Sequence, residues 1–184
     1  MKRLFLLTLV LLAGCGYNQI QTLDERINAA ESQIKVQLQR RADLIPNLVE
    51  TVKAYAKQEQ TIFTAVAEAR AKLAGAVQGG NLQEMAQANN ELSAGLGRLL
   101  AIVENYPQLK SNENFRALQD QLEGTENRIA VSRQDYNETV NTYNAYIRRF
   151  PQMITAKVLG KKPRAYFELQ TPGAAEAPKV DFSH

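Results

Sequence analysis

Apolar residues recur at helical spacing along nearly the whole chain between residues 18 and 150. In residues 113–149 they follow one another in steps of three and four from Phe115 to Ile147. Positions three and four apart lie on one face of an α-helix. Residues 18–41, 44–77 and 82–105 show the same pattern. The chain is therefore predicted to be all-α, with four principal helices.

The connections between these helices are short, and each contains residues that end a helix. Gly79 and Gly80 follow the second helix, and Pro107 with Ser111 separates the third from the fourth. Short links make successive helices antiparallel neighbours. We therefore predict an elongated antiparallel up-and-down four-helix bundle. Short helical turns over residues 152–159 and a flexible tail over residues 169–184 complete the prediction.

Pro46 makes the boundary between the first two helices ambiguous. Asp43 is a favourable N-cap residue. A proline in the first turn of a helix costs no hydrogen bond, because an N–H at that position would have no partner within the helix. This pattern favours a break before Leu44. The alternative is a kink inside one long helix, because a proline bends a helix without necessarily ending it. The break is the preferred interpretation.

The first sixteen residues, MKRLFLLTLVLLAGCG, have the layout of a secretory signal. A basic start, Lys2 and Arg3, precedes an apolar run that is too short to span a bilayer, which needs about 20 residues. Leu-Ala-Gly before Cys15 resembles the bacterial lipoprotein box. We therefore predict a lipoprotein-type signal peptide over residues 1–14, cleavage after Gly14 and lipidation of Cys15. In enteric-type bacteria an aspartate after the cysteine often signals retention in the inner membrane. If the chain comes from such a bacterium, Gly16 at this position favours the outer membrane, facing the periplasm, over the inner membrane.

Composition excludes several classes of function. The formal net charge is +3, and because Lys2 and Arg3 supply two of these charges, the mature chain carries about +1. That balance argues against nucleic acid as a partner. The only histidine is His184, so Ser-His-Asp, Cys-His and Glu-x-x-His sites cannot be built in their usual forms. We predict no cofactor, no metal site and no enzymatic activity; Glu123 and Glu126 are interpreted as a solvated helix face.

Two stripes of polar and small residues are candidates for a binding seam. Asn137, Asn141 and Asn144 share one face of the fourth predicted helix, and Asn90 and Ser93 share one face of the third. If the stripes meet, they form a polar seam that could hold a small molecule or peptide. Ordinary exposed surface is the favoured interpretation, and a buried network that fixes helix register is the other alternative.

Two further groups of side chains allow both a functional and a structural interpretation. The tyrosines at positions 55, 136, 143 and 146 are interpreted as core packing rather than a binding patch. Lys157, Lys161, Lys162 and Arg164 follow the fourth helix and would lie near the lipid in an up-and-down bundle. Such residues interact with anionic headgroups at about 1 kcal/mol each. A plain solvated linker explains this cluster equally well.

Several sequence strings resemble the LemA family of bacterial envelope proteins. The most specific is QLQRRADLIPNLV at residues 37–49. Others are TVKAYA at 51–56, ENYPQLK at 104–110 and TENRIA at 125–130. The resemblance covers about residues 17–168 and implies a four-helix bundle, membrane association and no assigned enzymatic activity. Many relatives begin with an apparent membrane-spanning helix, whereas this chain carries a lipoprotein box.

Together these observations predict a bundle domain over residues 15–168 on a lipid anchor. Its expected role is non-enzymatic: a scaffold or interaction partner for unidentified envelope proteins, with oligomerisation possible. The alternative is a small-molecule or peptide binder that uses the polar seam between the third and fourth helices.

Overall fold

The computed structural model describes residues 16–167, and this part of the chain contains six helices. They are α1 (Tyr17–Lys53), α2 (Gln60–Gly79), α3 (Leu82–Val103), α4 (Pro107–Lys110), α5 (Glu113–Ile147) and α6 (Gln152–Val158). No strand occurs within the described range. The all-α prediction is confirmed. The predicted signal peptide, Cys15 and the predicted tail over residues 169–184 lie outside the described residues.

Contacts along the helix pairs show that neighbours run antiparallel. The start of α1 lies against the end of α5, because a Cβ placed on Gly16 would be 3.1 Å from the Tyr146 hydroxyl. At the other end, the Asn112 side-chain amide donates to the Tyr55 hydroxyl at 3.2 Å. In the second pair, Lys72 of α2 forms an ion pair with Glu91 of α3 at 2.8 Å. Val66, earlier in α2, lies 3.4 Å from a Cβ placed on Gly95, later in α3. The up-and-down bundle prediction is confirmed.

The predicted break at Pro46 is wrong, because α1 continues through this proline to Lys53. The buried positions keep one helical phase across it, from Leu38 through Ile45 to Val52. Pro46 removes the N–H that would donate to the carbonyl of Ala42. That carbonyl instead accepts a hydrogen bond from Arg70 Nε of α2 at 2.9 Å. The helix therefore keeps its geometry while α2 fills the gap in its hydrogen bonding.

The actual break between the first two helices lies at residues 54–59, so α2 begins at Gln60 rather than at residue 44. This loop contains no glycine or proline. Its only buried residue is Ala56, and the next buried residue is Phe63. The chain therefore lacks an apolar face over this stretch and reverses direction there.

The four long helices differ in length, and this divides the bundle into two halves. α1 and α5 have 37 and 35 residues, or about 55 Å each, whereas α2 and α3 have 20 and 22. α2 returns only as far as the middle of α1, where a Cβ on Gly80 would lie 3.6 Å from Lys35 Nζ. Beyond that point α1 and α5 are covered by α6 and by residues 161–167.

Candidate functional site

The asparagine stripe of α5 holds the segment of residues 161–167, which we call the C-terminal segment. Asn144 makes two hydrogen bonds to the backbone of one residue. Its Nδ2 donates to the Arg164 carbonyl at 2.9 Å, and the Arg164 N–H donates to its Oδ1 at 2.8 Å. The buried asparagine thus contacts a backbone donor and acceptor together, as a neighbouring β-strand would.

Asn137 repeats this arrangement at Phe167. Its Nδ2 donates to the Phe167 carbonyl at 3.1 Å, and the Phe167 N–H donates to its Oδ1 at 2.8 Å. Seven helical residues separate the two asparagines by about 10.5 Å. Three extended residues between Arg164 and Phe167 cover about 10 Å. The match in spacing lets an extended segment run antiparallel to α5 and bond to both asparagines.

Tyrosine hydroxyls and one aromatic side chain complete the contacts of the C-terminal segment. The Tyr136 hydroxyl donates to the Ala165 carbonyl at 3.0 Å, and the Tyr166 hydroxyl donates to Asn141 Oδ1 at 3.3 Å. Burial raises the pKa of the Tyr136 hydroxyl above its ordinary value. Phe167 is buried, with the Arg133 guanidinium 5.1 Å from its ring centroid.

Asp24 of α1 fastens the segment from the opposite side. Its two carboxylate oxygens accept from Lys161 at 2.6 Å and from Arg164 at 2.9 Å. Burial alone would raise the pKa of Asp24, but the hydrogen bonds and charges of Lys161 and Arg164 outweigh it and lower the pKa. Arg164 also donates to the side chain of Asn28 at 3.2 Å. The segment therefore joins α1 to α5.

A second polar cluster lies on Arg41, which is buried on the core face of α1. The guanidinium forms an ion pair with Glu126 of α5 at 2.6 Å and donates to Ser93 of α3 at 3.0 Å. It also donates to Asn89 of α3. Burial lowers the pKa of Arg41, and the charge of Glu126 opposes this shift. Arg41 thus ties three helices together and fixes their register.

The polar seam predicted between the third and fourth long helices, which are α3 and α5 in the structure, is not formed. Among the described residues, no hydrogen bond joins Asn90 or Ser93 to the asparagines of α5. Ser93 bonds to Arg41, while Asn137 and Asn144 bond to the C-terminal segment. The favoured interpretation of the stripe as exposed surface is incorrect for Asn144, which is buried, and for Asn137, which is half-buried. Asn141 is exposed.

The predicted basic cluster is divided by Asp24. Lys161 and Arg164 are ion-paired to it, whereas Lys157 and Lys162 are exposed and take part in no ion pair of the described residues.

Of the four predicted core tyrosines, Tyr136 and Tyr143 are buried, Tyr146 is half-buried and Tyr55 is exposed. Glu126, interpreted from sequence as solvated, is the partner of Arg41.

Sequence reasoning missed Asp24 and Arg41. Arg41 had a detectable signal, because it lies in the apolar phase of α1 between Leu38 and Ile45. Asp24 had none, since its partners lie 137 and 140 residues away.

Over residues 16–167, no three His, Cys, Asp or Glu side chains gather as a metal site would require. Nor does any described helix combine the length and apolar character of a membrane span.

Comparisons with known proteins agree on one family. The model of the LemA family matches residues 30–182. Curated relatives include magnetosome proteins MamQ 1 and MamQ 2 of Paramagnetospirillum magneticum and magnetosome protein MamQ of Magnetospirillum gryphiswaldense. Each is 31% identical over 85% of this chain. The matched region spans 66% of each relative, just under two thirds of its length.

Proposed function

The chain belongs to the LemA family, and from this premise we propose that it is a non-enzymatic, lipid-anchored protein of the bacterial cell envelope. Cys15 carries the lipid, and the bundle works by contacting other envelope proteins. The outer membrane, facing the periplasm, is its proposed location, because Gly16 rather than an aspartate follows the cysteine. The names of the relatives are in keeping with a non-enzymatic role, since they state a cell structure, the magnetosome, and no reaction.

The observation that carries this proposal is the continuity of the lipoprotein box with the fold. Gly16 adopts φ of +107°, and a Cβ there would lie 3.0 Å from Gln152 Cγ. Glycine is suited to both the backbone angle and the close approach. Residue 16 therefore packs on the end of the bundle directly after Cys15, which supports a fold that begins at its anchor without an intervening stalk.

Acylation is tested by growing cells with an alkyne analogue of palmitate and measuring the label on the protein. Cys15→Ser removes the only thiol of the chain, and Thr8→Ser in the same apolar run is the matched control. We expect label on the wild type and on Thr8→Ser, with none on Cys15→Ser. The amino-terminal peptide should begin at an acylated Cys15. An unprocessed Met1, or release into the aqueous fraction without detergent, would contradict the proposal.

A second candidate function, peptide binding, is favoured by one observation. Asn137 and Asn144 already hold an extended segment through its backbone, and backbone contacts do not depend on sequence. The occupant is the chain's own C-terminal segment, so an external peptide would have to replace it.

A photoreactive residue at Asn141, which is exposed beside the C-terminal segment, distinguishes the two functions in intact cells. A crosslinked envelope protein of defined mass supports the first. Native mass spectrometry of purified protein that carries a co-purified peptide or small molecule supports the second. A photoreactive residue at Ala101, exposed on α3, controls for contacts that arise by collision alone.

A further inference from the structure

Helix α6 turns its apolar side outward. Met153, Ile154 and Val158 are 50%, 53% and 82% exposed, whereas Thr155 and Ala156 are buried. Phe150, just before the helix, is 78% exposed. We call Phe150, Met153, Ile154 and Val158 the apolar end face. Positions 153, 154 and 158 lie on one side of the helix. Several large apolar side chains exposed together on one side of a helix are typical of an interaction site.

The apolar end face lies where the polypeptide leaves the fold toward its amino terminus. Gly16 packs against Tyr146 and Gln152, which flank this face on α5 and α6. Tyr17, the first residue of α1, is also 45% exposed. The fifteen residues that precede Gly16 include the apolar run and Cys15. Any lipid on Cys15 therefore starts next to these side chains.

Charge around the apolar end face is of one sign. Arg148, Arg149 and Lys157 are exposed, and none of them takes part in an ion pair of the described residues. The sequence contains no aspartate or glutamate from residue 139 to residue 167, and none before Asp24. An apolar surface edged by unpaired cations complements the acyl and phosphate layers of an anionic membrane surface.

We infer that the apolar end face inserts into the interfacial layer of a lipid bilayer, with Arg148, Arg149 and Lys157 on the headgroup phosphates. The bundle then stands on the membrane through two attachments, the lipid on Cys15 and this protein surface. The lipid on Cys15 holds the chain at the bilayer, and the apolar end face adds buried apolar area of the protein itself to that attachment. The inference rests on the proposed function in one respect: the bilayer is the one that holds Cys15.

The absence of tryptophan makes a direct test possible, because one introduced tryptophan reports its own surroundings. Full-length protein purified from its own membranes carries Phe150→Trp or Val158→Trp. It is reconstituted into phosphatidylcholine vesicles with or without phosphatidylglycerol, in which some acyl chains are brominated. The control is Val131→Trp, which is also exposed, at 58%, but lies roughly 24 Å along α5 from its end. Thermal melts confirm that all three variants fold.

We expect brominated lipid to quench tryptophan at 150 and 158 severalfold more than at 131. Replacing Arg148, Arg149 and Lys157 with glutamine should reduce quenching at 158 in the anionic vesicles only. Equal, weak quenching at all three positions overturns the inference. Blue-shifted emission at 150 and 158 without quenching by brominated lipid also overturns it, because a protein surface, such as a second copy, then covers the face.

Mass analysis of Cys15 on the same samples separates this inference from the proposed anchor. Acylated Cys15 with unquenched tryptophans leaves the anchor intact and removes the second attachment. Unmodified Cys15 with quenched tryptophans does the reverse: the apolar end face binds the membrane, and the lipid anchor is wrong.

Discussion

An asparagine side chain carries a carbonyl acceptor and an NH2 group with two N–H donors, so it can accept from a backbone N–H and donate to a backbone carbonyl at the same time. Asn137 and Asn144 use both groups on one residue of the C-terminal segment each. A helix has no free backbone groups along its side, so it cannot pair with an extended segment as a strand does. The two asparagine side chains supply α5 with the hydrogen-bond donors and acceptors that the edge of a β-sheet would offer.

Replacing Asn144 with alanine is expected to lower the free energy of unfolding by about 2 kcal/mol. The change removes two hydrogen bonds and leaves the N–H and carbonyl of Arg164 without protein partners. Asn141→Ala, which loses only an exposed bond to the Tyr166 hydroxyl, should cost less than about 0.5 kcal/mol. Urea unfolding measures both, and hydrogen exchange at the Arg164 amide should accelerate in Asn144→Ala alone. Equal losses in the two variants would contradict this role.

Asp24 makes the hold on the C-terminal segment sensitive to acid. Because Lys161 and Arg164 lower its folded-state pKa, the carboxylate stabilises the fold above its unfolded pKa of about 3.9. That contribution is lost as the pH falls through the lowered folded-state pKa. We expect Asp24→Asn to lower the free energy of unfolding at neutral pH. Below about pH 4, the free energy of unfolding should fall less steeply with decreasing pH in this variant than in the wild type. Asp120→Asn, exposed on α5, is the control; an unchanged acid slope in Asp24→Asn would contradict the assignment.

At the scale of the helix, Pro46 and Arg70 form one unit. The proline leaves the Ala42 carbonyl without its helical donor, and Arg70 of α2 supplies that donor from outside. An exposed proline inside α1 thus becomes an attachment point for a second helix. This explains why the helix ends at Lys53 rather than before the proline.

A double-mutant cycle tests this unit. Arg70→Ala should cost about 1 kcal/mol when Pro46 is present, because a buried carbonyl loses its partner. In the Pro46→Ala background, the new N–H at residue 46 donates to Ala42, and the same change should cost less. We expect a coupling energy of about 1 kcal/mol from urea unfolding. Arg98→Ala, on the exposed face of α3, should show no coupling to Pro46→Ala; zero coupling for Arg70 would refute the account.

The helices illustrate what apolar spacing can and cannot reveal. Spacing located the buried faces of all four long helices, because burial imposes the helical period on the sequence. It misplaced the first break, because a capping residue and a proline gave a stronger local signal than the gap between Ala56 and Phe63. The asparagine stripe was visible, but its partner was not. An irregular segment that bonds through its backbone leaves no periodic trace in the sequence.

At the scale of the whole molecule, the two halves of the bundle are closed by different means. The half around the loop of residues 54–59 contains four helices. In the half that begins at Gly16, α6 and the C-terminal segment take the place of α2 and α3 against α1 and α5. The core therefore depends on residues near the end of the described chain, and Phe167 is part of it.

Two truncations test this division and the predicted domain boundary at residue 168. A chain that ends at residue 160 loses the four hydrogen bonds of Asn137 and Asn144, the Asp24 ion pairs and the burial of Phe167, together worth roughly 4 kcal/mol. Its Tm should fall by about 10 °C, and a dye that binds apolar surface should fluoresce on it. A chain that ends at residue 168 keeps every one of these contacts, so its Tm should stay within about 2 °C of the full chain. Because the second truncation removes more than half as many residues as the first, a loss caused merely by shortening would lower both melting temperatures. Equal melting temperatures for the two truncated chains would show that the C-terminal segment only lies on the bundle and does not close it.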